Sequence, residues 1–134
     1  MNFSTRIVVN FGDTDPAGLV YFPNIFHYCH IAMERCFEEI CGISYHLLID
    51  QHRIGFPTAK ILSEFKSPLR YGDLIDVQVN VSSVGNKSLS LSYRITNASG
   101  AECAEVSQVI VAMNLSTHES IPIPDFIREK LTKK

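Results

Sequence analysis

The stretch NIFHYCHIAMERCFEEICG, residues 24–42, decides the fold. Its apolar side chains recur every three or four residues and form one stripe, which is the pattern of an amphipathic helix. The residues of this stripe are Ile25, Cys29, Ala32, Met33, Cys36, Phe37 and Ile40. Gly42 follows as a residue at which such a helix commonly ends. The sequence therefore predicts one long helix here, and it is the only long helix predicted in the chain.

The segments that follow and precede this helix alternate between apolar and polar residues, as strands with one buried face do. Five strands are predicted, at residues 3–11, 58–66, 75–82, 89–95 and 101–114. Turn sequences at Gly85–Lys87 and Asn97–Gly100 join the last three as antiparallel neighbours. The fifth strand has apolar residues at both parities, which predicts burial on both of its faces. A short tail helix is predicted after Pro124.

One long helix among about five antiparallel strands is an α+β arrangement. The stripe of the helix is the only large apolar partner for the sheet. The simplest packing is therefore a curved antiparallel sheet wrapped around one central helix. A chain of 134 residues with no linker and no internal repeat is predicted to form a single domain, residues 1–134.

Charge and hydropathy exclude several classes of partner. The net charge is −2 and the basic residues are scattered, so the chain lacks the basic face of a nucleic-acid binder. No apolar run reaches the length of a membrane span, and the N-terminus lacks the apolar region of a signal peptide. The four cysteines, Cys29, Cys36, Cys41 and Cys103, show no metal-like spacing and are predicted to pack as reduced thiols. These features predict a cytoplasmic protein without nucleic-acid or membrane partners.

The loop GDTDPAGLVYFPN, residues 12–24, puts two acids, Asp13 and Asp15, before the start of the helix. A helix start has unpaired N–H groups and partial positive charge, so it can hold a developing oxyanion. A carboxylate beside it supplies a second part of an acyl-transfer site, a base or a nucleophile. Gly18 would let the backbone approach a ligand closely. The same acids are also common in turns and helix caps, so both interpretations stay open. An apolar wall is predicted from Leu19, Val20, Tyr21 and Phe22.

The segment FGDTDPAGLVYFPN, residues 11–24, closely resembles the signature loop of the hot-dog-fold acyl-CoA thioesterases, in particular the 4-hydroxybenzoyl-CoA thioesterase family. GFPTAKILSEFKSPLRYGDLIDVQVNV, residues 55–81, resembles the second half of that family, in which a P-x-x-x-G-D turn introduces a long strand. The resemblance covers nearly the whole domain. It implies a hot-dog fold and hydrolysis of an acyl-CoA thioester to free acid and coenzyme A, without a metal or a cofactor.

The resemblance also implies roles for individual residues. Asp15 occupies the position of the acid that attacks the thioester carbonyl or activates water against it. Phe22 occupies the position whose backbone N–H polarises that carbonyl, and Pro23, which has no N–H, is consistent with this placement. Asp13 is expected to hold the loop by accepting backbone hydrogen bonds.

Substrate contacts are expected from the same loop and from one basic turn. Gly18, Val20 and Tyr21 are predicted to contact the substrate, and Lys87 corresponds to a basic loop residue that approaches the coenzyme A phosphates in the family. Lys66 and Arg70 are weaker candidates for that task. The family also implies a homodimer whose sheets pair edge to edge, doubled to a homotetramer, with active sites shared between subunits.

Departures from related branches leave alternatives open. The Tol–Pal-associated thioesterases have histidine where this chain has Phe22, and this difference favours an aromatic acyl group such as hydroxybenzoyl or dihydroxynaphthoyl. Short- or medium-chain aliphatic acyl groups remain an alternative. Another branch places a catalytic glutamate on the central helix, where Glu34 and Glu38 are the candidates.

Metal binding and cysteine chemistry have weaker support in the sequence. His27, His30 and Glu34 have a spacing that a metal could use, but they lack a clear further ligand nearby. No cysteine has a predicted partner base. The rival functions are a non-catalytic acyl-CoA or acyl-carrier-protein binding module and a dehydratase on the same fold.

Overall fold

An antiparallel sheet and one long helix form most of the structure, a computed structural model that describes residues 2–132. In chain order the strands are β1 (Asn2–Val8), β2 (Ile54–Gly55), β3 (Thr58–Phe65), β4 (Leu74–Val84), β5 (Ser88–Thr96), β6 (Glu102–Val111), β7 (Met113–Asn114) and β8 (Glu119–Ser120). The α-helices are α1 (Pro23–Cys41), α2 (Tyr45–Asp50) and α3 (Asp125–Thr132). Within residues 2–132, no helix is long and apolar enough to cross a membrane.

The large sheet has five strands in the order β1-β4-β5-β6-β3, and every neighbouring pair is antiparallel. One end of this sheet, the "loop end", holds Val8, Leu74, Thr96, Glu102 and Phe65. The opposite end, the "Lys87 end", holds Asn2, Val84, Ser88, Val111 and Thr58. The strand order leaves β1 and β3 as the edges of the sheet.

Helix α1 buries its predicted stripe against the inner face of this sheet, except for Ile40, which is half-buried. Its buried residues are Ile25, Tyr28, Cys29, Ala32, Met33, Cys36 and Phe37, and they share one core with the alternating apolar residues of β4 and β5. Burial of each large apolar side chain stabilises such a core by about 1.5–3 kcal/mol. The helix ends at Gly42, whose φ of 71° is the left-handed conformation of a helix C-cap. The predicted α+β arrangement of five strands and one central helix is confirmed.

The first strand is shorter than predicted. β1 ends at Val8, and Phe11–Asp13 form one turn of 3₁₀ helix instead of continuing the strand. The Asn10 N–H donates to the Asp13 carboxylate at 3.0 Å, which turns the chain at this point. Phe11, the last residue of the strand predicted at residues 3–11, is 75% exposed.

The last predicted strand is divided between two sheets. β6 ends at Val111, and the chain then enters a small sheet of order β2-β7-β8, which the sequence did not predict. Val109 and Val111 are only half-buried, so burial on both faces was wrong. Gly55 of β2 permits the close approach of the segment after β7, because a Cβ at this position would lie 2.8 Å from Cδ2 of Leu115.

Candidate active site

The loop between β1 and α1 folds on itself as a tight hairpin. The Asp15 N–H donates to the Leu19 carbonyl at 2.8 Å, and the Gly18 N–H donates to the Asp15 carbonyl at 2.9 Å. Pro16 occupies the second position of this turn and Gly18, with φ of 80°, the fourth, and both positions favour these residue types. The local sequence D-P-A-G therefore encodes the turn that presents Asp15.

A second segment fixes this hairpin at the loop end of the sheet. The Val20 N–H donates to the Leu69 carbonyl at 2.8 Å, and Leu19 forms a β-bridge with Arg70. The Gly72 N–H donates to the Val9 carbonyl at 3.0 Å. The two segments that carry the family resemblance, the acidic loop and the P-x-x-x-G-D turn, thus pack against each other.

The carboxylate of Asp15 is held by one of its two oxygens. Oδ1 accepts hydrogen bonds from the N–H of Ala17 at 2.9 Å and of Leu19 at 3.4 Å. No residue among 2–132 donates to Oδ2, and the side chain is half-buried. The carboxylate is therefore oriented by the backbone while one oxygen is left to meet a substrate or a water.

Asp13 is engaged on both its side chain and its backbone. Its Oδ2 accepts from the Tyr28 hydroxyl at 2.8 Å and from the Asn10 N–H. Its carbonyl accepts from the Tyr21 N–H at 3.0 Å and from Nδ2 of Asn24 at 2.8 Å. Burial, and then the hydrogen bond to Asp13, raise the pKa of Tyr28, so this hydroxyl stays a donor. These contacts match the structural role predicted for Asp13.

The N–H of Phe22 is the unengaged donor at the start of α1. The Tyr21 N–H is used by Asp13, Pro23 has no N–H, and the Asn24 N–H donates to the Tyr21 carbonyl at 2.9 Å. The Phe22 N–H has no acceptor within the part of the chain that the structure describes. A free donor at a helix N-terminus is suited to an oxyanion.

Four aromatic rings lie beside this donor, and we call them the aromatic cluster: Tyr21, Phe22, Phe26 and Phe65. The ring centroids of Tyr21 and Phe22 are 5.6 Å apart, those of Phe22 and Phe65 are 6.2 Å apart, and those of Phe26 and Phe65 are 6.3 Å apart. Sequence reasoning missed Phe26 and Phe65. The available signals were the i, i+4 spacing of Phe22 and Phe26 and the inward parity of Phe65 in β3.

Of the predicted substrate contacts, Gly18, Val20 and Tyr21 lie in or next to the hairpin, whereas Lys87 does not. Lys87 is exposed in the turn after β4, at the Lys87 end of the sheet. The eleven residues of β4 separate the two ends by roughly 35 Å at the rise of a strand. Lys87 and Asp15 therefore do not meet within one protomer.

The other two predicted cations lie at the loop end. Nζ of Lys66 is 3.2 Å from Oε2 of both Glu102 and Glu105, and its hydrogen bonds to these carboxylates raise the pKa of Lys66. Arg70 is exposed, and its backbone bridges to the hairpin. Lys66 is thus committed to its ion pairs, while Arg70 is the nearer cation to the loop.

The candidate glutamates of α1 lie away from this site within one protomer, and the two histidines of α1 are exposed. Glu34 and Glu38 are roughly 18 and 24 Å along the helix from Phe22. Nε2 of His30 is 3.6 Å from Oε2 of Glu34 in an exposed pair, and His27 is exposed. Within residues 2–132 no group of three or more His, Cys, Asp or Glu side chains is arranged to hold a metal ion.

The cysteines are packed in or beside the core, as the sequence predicted. Cys29, Cys36 and Cys103 are buried and Cys41 is half-buried, and all four are free thiols. Burial raises the pKa of Cys29 and of Cys36 to about 12. These thiols are therefore protonated near neutral pH and are poor nucleophiles.

The chain is similar to several known proteins. A 1,4-dihydroxy-2-naphthoyl-CoA hydrolase from Thermosynechococcus vestitus is 28% identical over 117 residues, which are 87% of this chain and 80% of the relative. The structure of BH1999 gentisyl-coenzyme A thioesterase superposes with a TM-score of 0.86 at 29% identity, covering 94% of this chain and 99% of the other. A 1,4-dihydroxy-2-naphthoyl-CoA thioesterase from Synechocystis has a TM-score of 0.88 at 23% identity, covering 98% and 96%.

The family profile described as "Thioesterase-like superfamily" matches residues 9–131, which include the hairpin, α1 and all strands but β1. The predicted hot-dog fold and the predicted class of thioester hydrolase are confirmed. The chain belongs to the thioesterase-like superfamily.

Proposed function

We propose that the protein hydrolyses an aromatic acyl-CoA thioester to the free acid and coenzyme A, with Asp15 as the catalytic carboxylate. One observation carries this proposal: a single hydrogen-bonded hairpin presents both the free Oδ2 of Asp15 and the unengaged N–H of Phe22. The relatives named for dihydroxynaphthoyl-CoA and gentisyl-CoA support an aromatic acyl group.

In the proposed reaction the thioester oxygen accepts the Phe22 N–H, which stabilises the negative charge that develops there. Oδ2 of Asp15 then attacks the carbonyl carbon, the C–S bond breaks, and coenzyme A leaves as a thiolate. Water hydrolyses the resulting mixed anhydride and restores the carboxylate. In the alternative route Asp15 removes a proton from a water that attacks the same carbon directly. Both routes use the same two groups.

Gly18, Val20 and Tyr21 are proposed to contact the substrate around these groups. An added Cβ at Gly18 would meet no atom within 4 Å, so its surroundings are open. Val20 is half-buried and Tyr21 is exposed beside Phe22. These three residues would place the thioester between the hairpin and the start of α1.

The Lys87 contact requires a second protomer. The edge strand β3 is exposed at every residue except Ile61, whereas the other edge, β1, is contacted by Arg35, whose Nη1 donates to the Arg6 carbonyl at 3.1 Å. An exposed edge is a ready site for strand pairing. Two-fold pairing of β3 with its copy is antiparallel, and it would bring the Lys87 end of one protomer beside the loop end of the other.

We further propose that residues 1–134 act as one domain, and that such dimers pair into a homotetramer in the cytoplasm. The family resemblance supports the tetramer, and the match over residues 9–131 supports the single domain. The free cysteines, three of them buried, support a reducing compartment.

The test measures release of coenzyme A from a panel of aromatic and aliphatic acyl-CoAs by the wild type and by Asp15→Asn. The variant keeps an oxygen acceptor for the N–H groups of Ala17 and Leu19, so the hairpin should persist, which circular dichroism and thermal unfolding would check. We expect kcat to fall by about 10³-fold, within the range for loss of a catalytic acid or base.

Two outcomes would contradict the proposal. Unchanged turnover in folded Asp15→Asn would move the chemistry elsewhere, with Glu34 and Glu38 as the next variants. Binding of acyl-CoA by the wild type without turnover of any substrate would instead assign a binding module.

A further inference from the structure

The position of Phe65 distinguishes it from the rest of its strand. Side chains alternate across a strand, so Phe65 shares the inner face of β3 with Ile61, which packs against the core. Leu62 has the opposite parity and lines an outer concavity with Ser82 and Ser90. Phe65 therefore faces α1, and its ring contacts the rings of Phe22 and Phe26 there.

The aromatic cluster remains open to solvent although its rings touch. Phe22 is 57% exposed and Phe65 is 48% exposed, whereas the rings of the core, such as Phe37 and Phe56, are almost fully buried. A cluster of this kind leaves apolar ring faces that a further planar group would cover. The backbone of Phe22 carries the proposed oxyanion donor, so such a group would be attached to the carbonyl held there.

We propose that Phe65 is a specificity-determining residue, which, with Phe26, forms the wall that receives the aromatic ring of the acyl group. This inference rests on the proposed function, because it takes the Phe22 N–H as the site of the thioester oxygen. The ring of the substrate joins the cluster by offset or edge-to-face contacts, which an aliphatic chain of similar length cannot reproduce.

The experiment compares Phe65→Leu with the wild type and with Leu62→Ala, a control on the same strand whose side chain faces the other way. The measured quantity is kcat/KM for 4-hydroxybenzoyl-CoA divided by kcat/KM for hexanoyl-CoA. We expect Phe65→Leu to lower this ratio about fivefold, the effect of one aromatic contact, and Leu62→Ala to leave it unchanged. Size-exclusion chromatography with light scattering reports the oligomeric state of each variant.

A second readout separates this inference from the proposed function. In the Asp15→Asn background, calorimetry measures the affinity for the same two acyl-CoAs with and without Phe65→Leu. A selective loss of affinity for 4-hydroxybenzoyl-CoA supports the role of Phe65 even if the wild type shows no turnover. Equal changes in affinity for both ligands would overturn this inference. A changed oligomeric state with an unchanged kcat/KM ratio would also overturn it and would leave Phe65 as an interface residue.

Discussion

The loop end and the Lys87 end of the sheet carry the two sets of residues that are proposed to act on an acyl-CoA. The loop end has the Asp15 carboxylate, of which only Oδ1 accepts hydrogen bonds within residues 2–132, the unengaged N–H of Phe22 and exposed aromatic rings. Its cation Lys66 forms ion pairs with Glu102 and Glu105. The Lys87 end has an exposed lysine in a tight turn. If Asp15 and Lys87 act as proposed, one protomer separates catalysis from recognition of the coenzyme A phosphates, and a second copy would unite them.

The two ends are also held in place by different devices. At the loop end the Tyr28 hydroxyl donates to Asp13 at 2.8 Å. At the Lys87 end Nη2 of Arg128, from α3, donates to the carbonyls of Gly85 and Asn86 at 2.8 and 2.9 Å. Removal of the Tyr28 hydroxyl should therefore affect the loop end alone, and removal of the Arg128 guanidinium should affect the Lys87 end alone.

After Asp15→Asn, the largest effect is expected from removing the Phe22 N–H. Phe22 has φ of −54°, which lies within the range of proline, so Phe22→Pro deletes the donor without changing this angle. We expect kcat to fall by about 10²–10³-fold, as for loss of an oxyanion-hole donor. Phe22→Leu, which keeps the N–H, is the control, and both would be assayed by coenzyme A release.

Equal losses in Phe22→Pro and Phe22→Leu would assign the effect to the ring instead of the donor. Thermal unfolding of both variants is needed beside the kinetics, because proline at this position also restricts Tyr21.

Mixing two defective variants tests whether the ends meet between protomers. We expect Lys87→Ala to raise KM about tenfold, the effect of one charge-assisted contact, and Asp15→Asn to be inactive. In a refolded equimolar mixture, half of the dimers are mixed, and each of these has one intact site. Activity at low substrate should then be about a quarter of the wild type, roughly five times the mean of the separate variants.

A mixture no more active than that mean, with subunit exchange verified by mass spectrometry, would place Lys87 outside the site. A mixture of wild type and Asp15→Asn, which should keep about half of the wild-type activity with or without exchange, controls for losses caused by refolding and mixing.

The residues of the candidate site that the sequence could bring together are those that lie close along the chain. Asp15, Gly18 and Phe22 belong to one loop, whose turn chemistry and adjoining helix are local features. The contact of Phe65 with Phe22 and the remoteness of Lys87 depend on the strand order β1-β4-β5-β6-β3. Alternation along each strand does not determine that order, so these two features could not be read from residue spacing.

The two anchoring side chains should affect different kinetic constants. Tyr28→Phe should lower kcat about threefold with little change in KM, because it loosens the hairpin, whereas Arg128→Met should raise KM about threefold with little change in kcat. Each should also cost about 1–2 kcal/mol of unfolding free energy. Steady-state kinetics and urea unfolding measure both effects. A rise in KM for Tyr28→Phe together with a fall in kcat for Arg128→Met would contradict the assignment of catalysis to the loop end and of phosphate binding to the Lys87 end.

The pH dependence of the free energy of unfolding should also reveal the contribution of Tyr28. Burial and the bond to Asp13 raise the pKa of Tyr28 above its ordinary value near 10. The folded state therefore retains a proton that the unfolded chain releases, so this stabilisation is complete below pH 10 and is lost as pH rises through the folded pKa. Above pH 10 the wild type should lose unfolding free energy more steeply than Tyr28→Phe, and parallel curves would contradict this.

The smallest effect is expected from substitution of Lys66, the loop-end cation that forms ion pairs with two glutamates. Because its Nζ is shared by Glu102 and Glu105, Lys66→Ala should change KM for acyl-CoA by less than about twofold and leave the free energy of unfolding nearly unchanged, as for exposed ion pairs. Arg70→Ala is the matched comparison, since Arg70 lies against the hairpin. A tenfold rise in KM for Lys66→Ala would show that the loop end itself binds the coenzyme A phosphates. This result would contradict the proposed contact between Lys87 of one protomer and the substrate bound at the loop end of another.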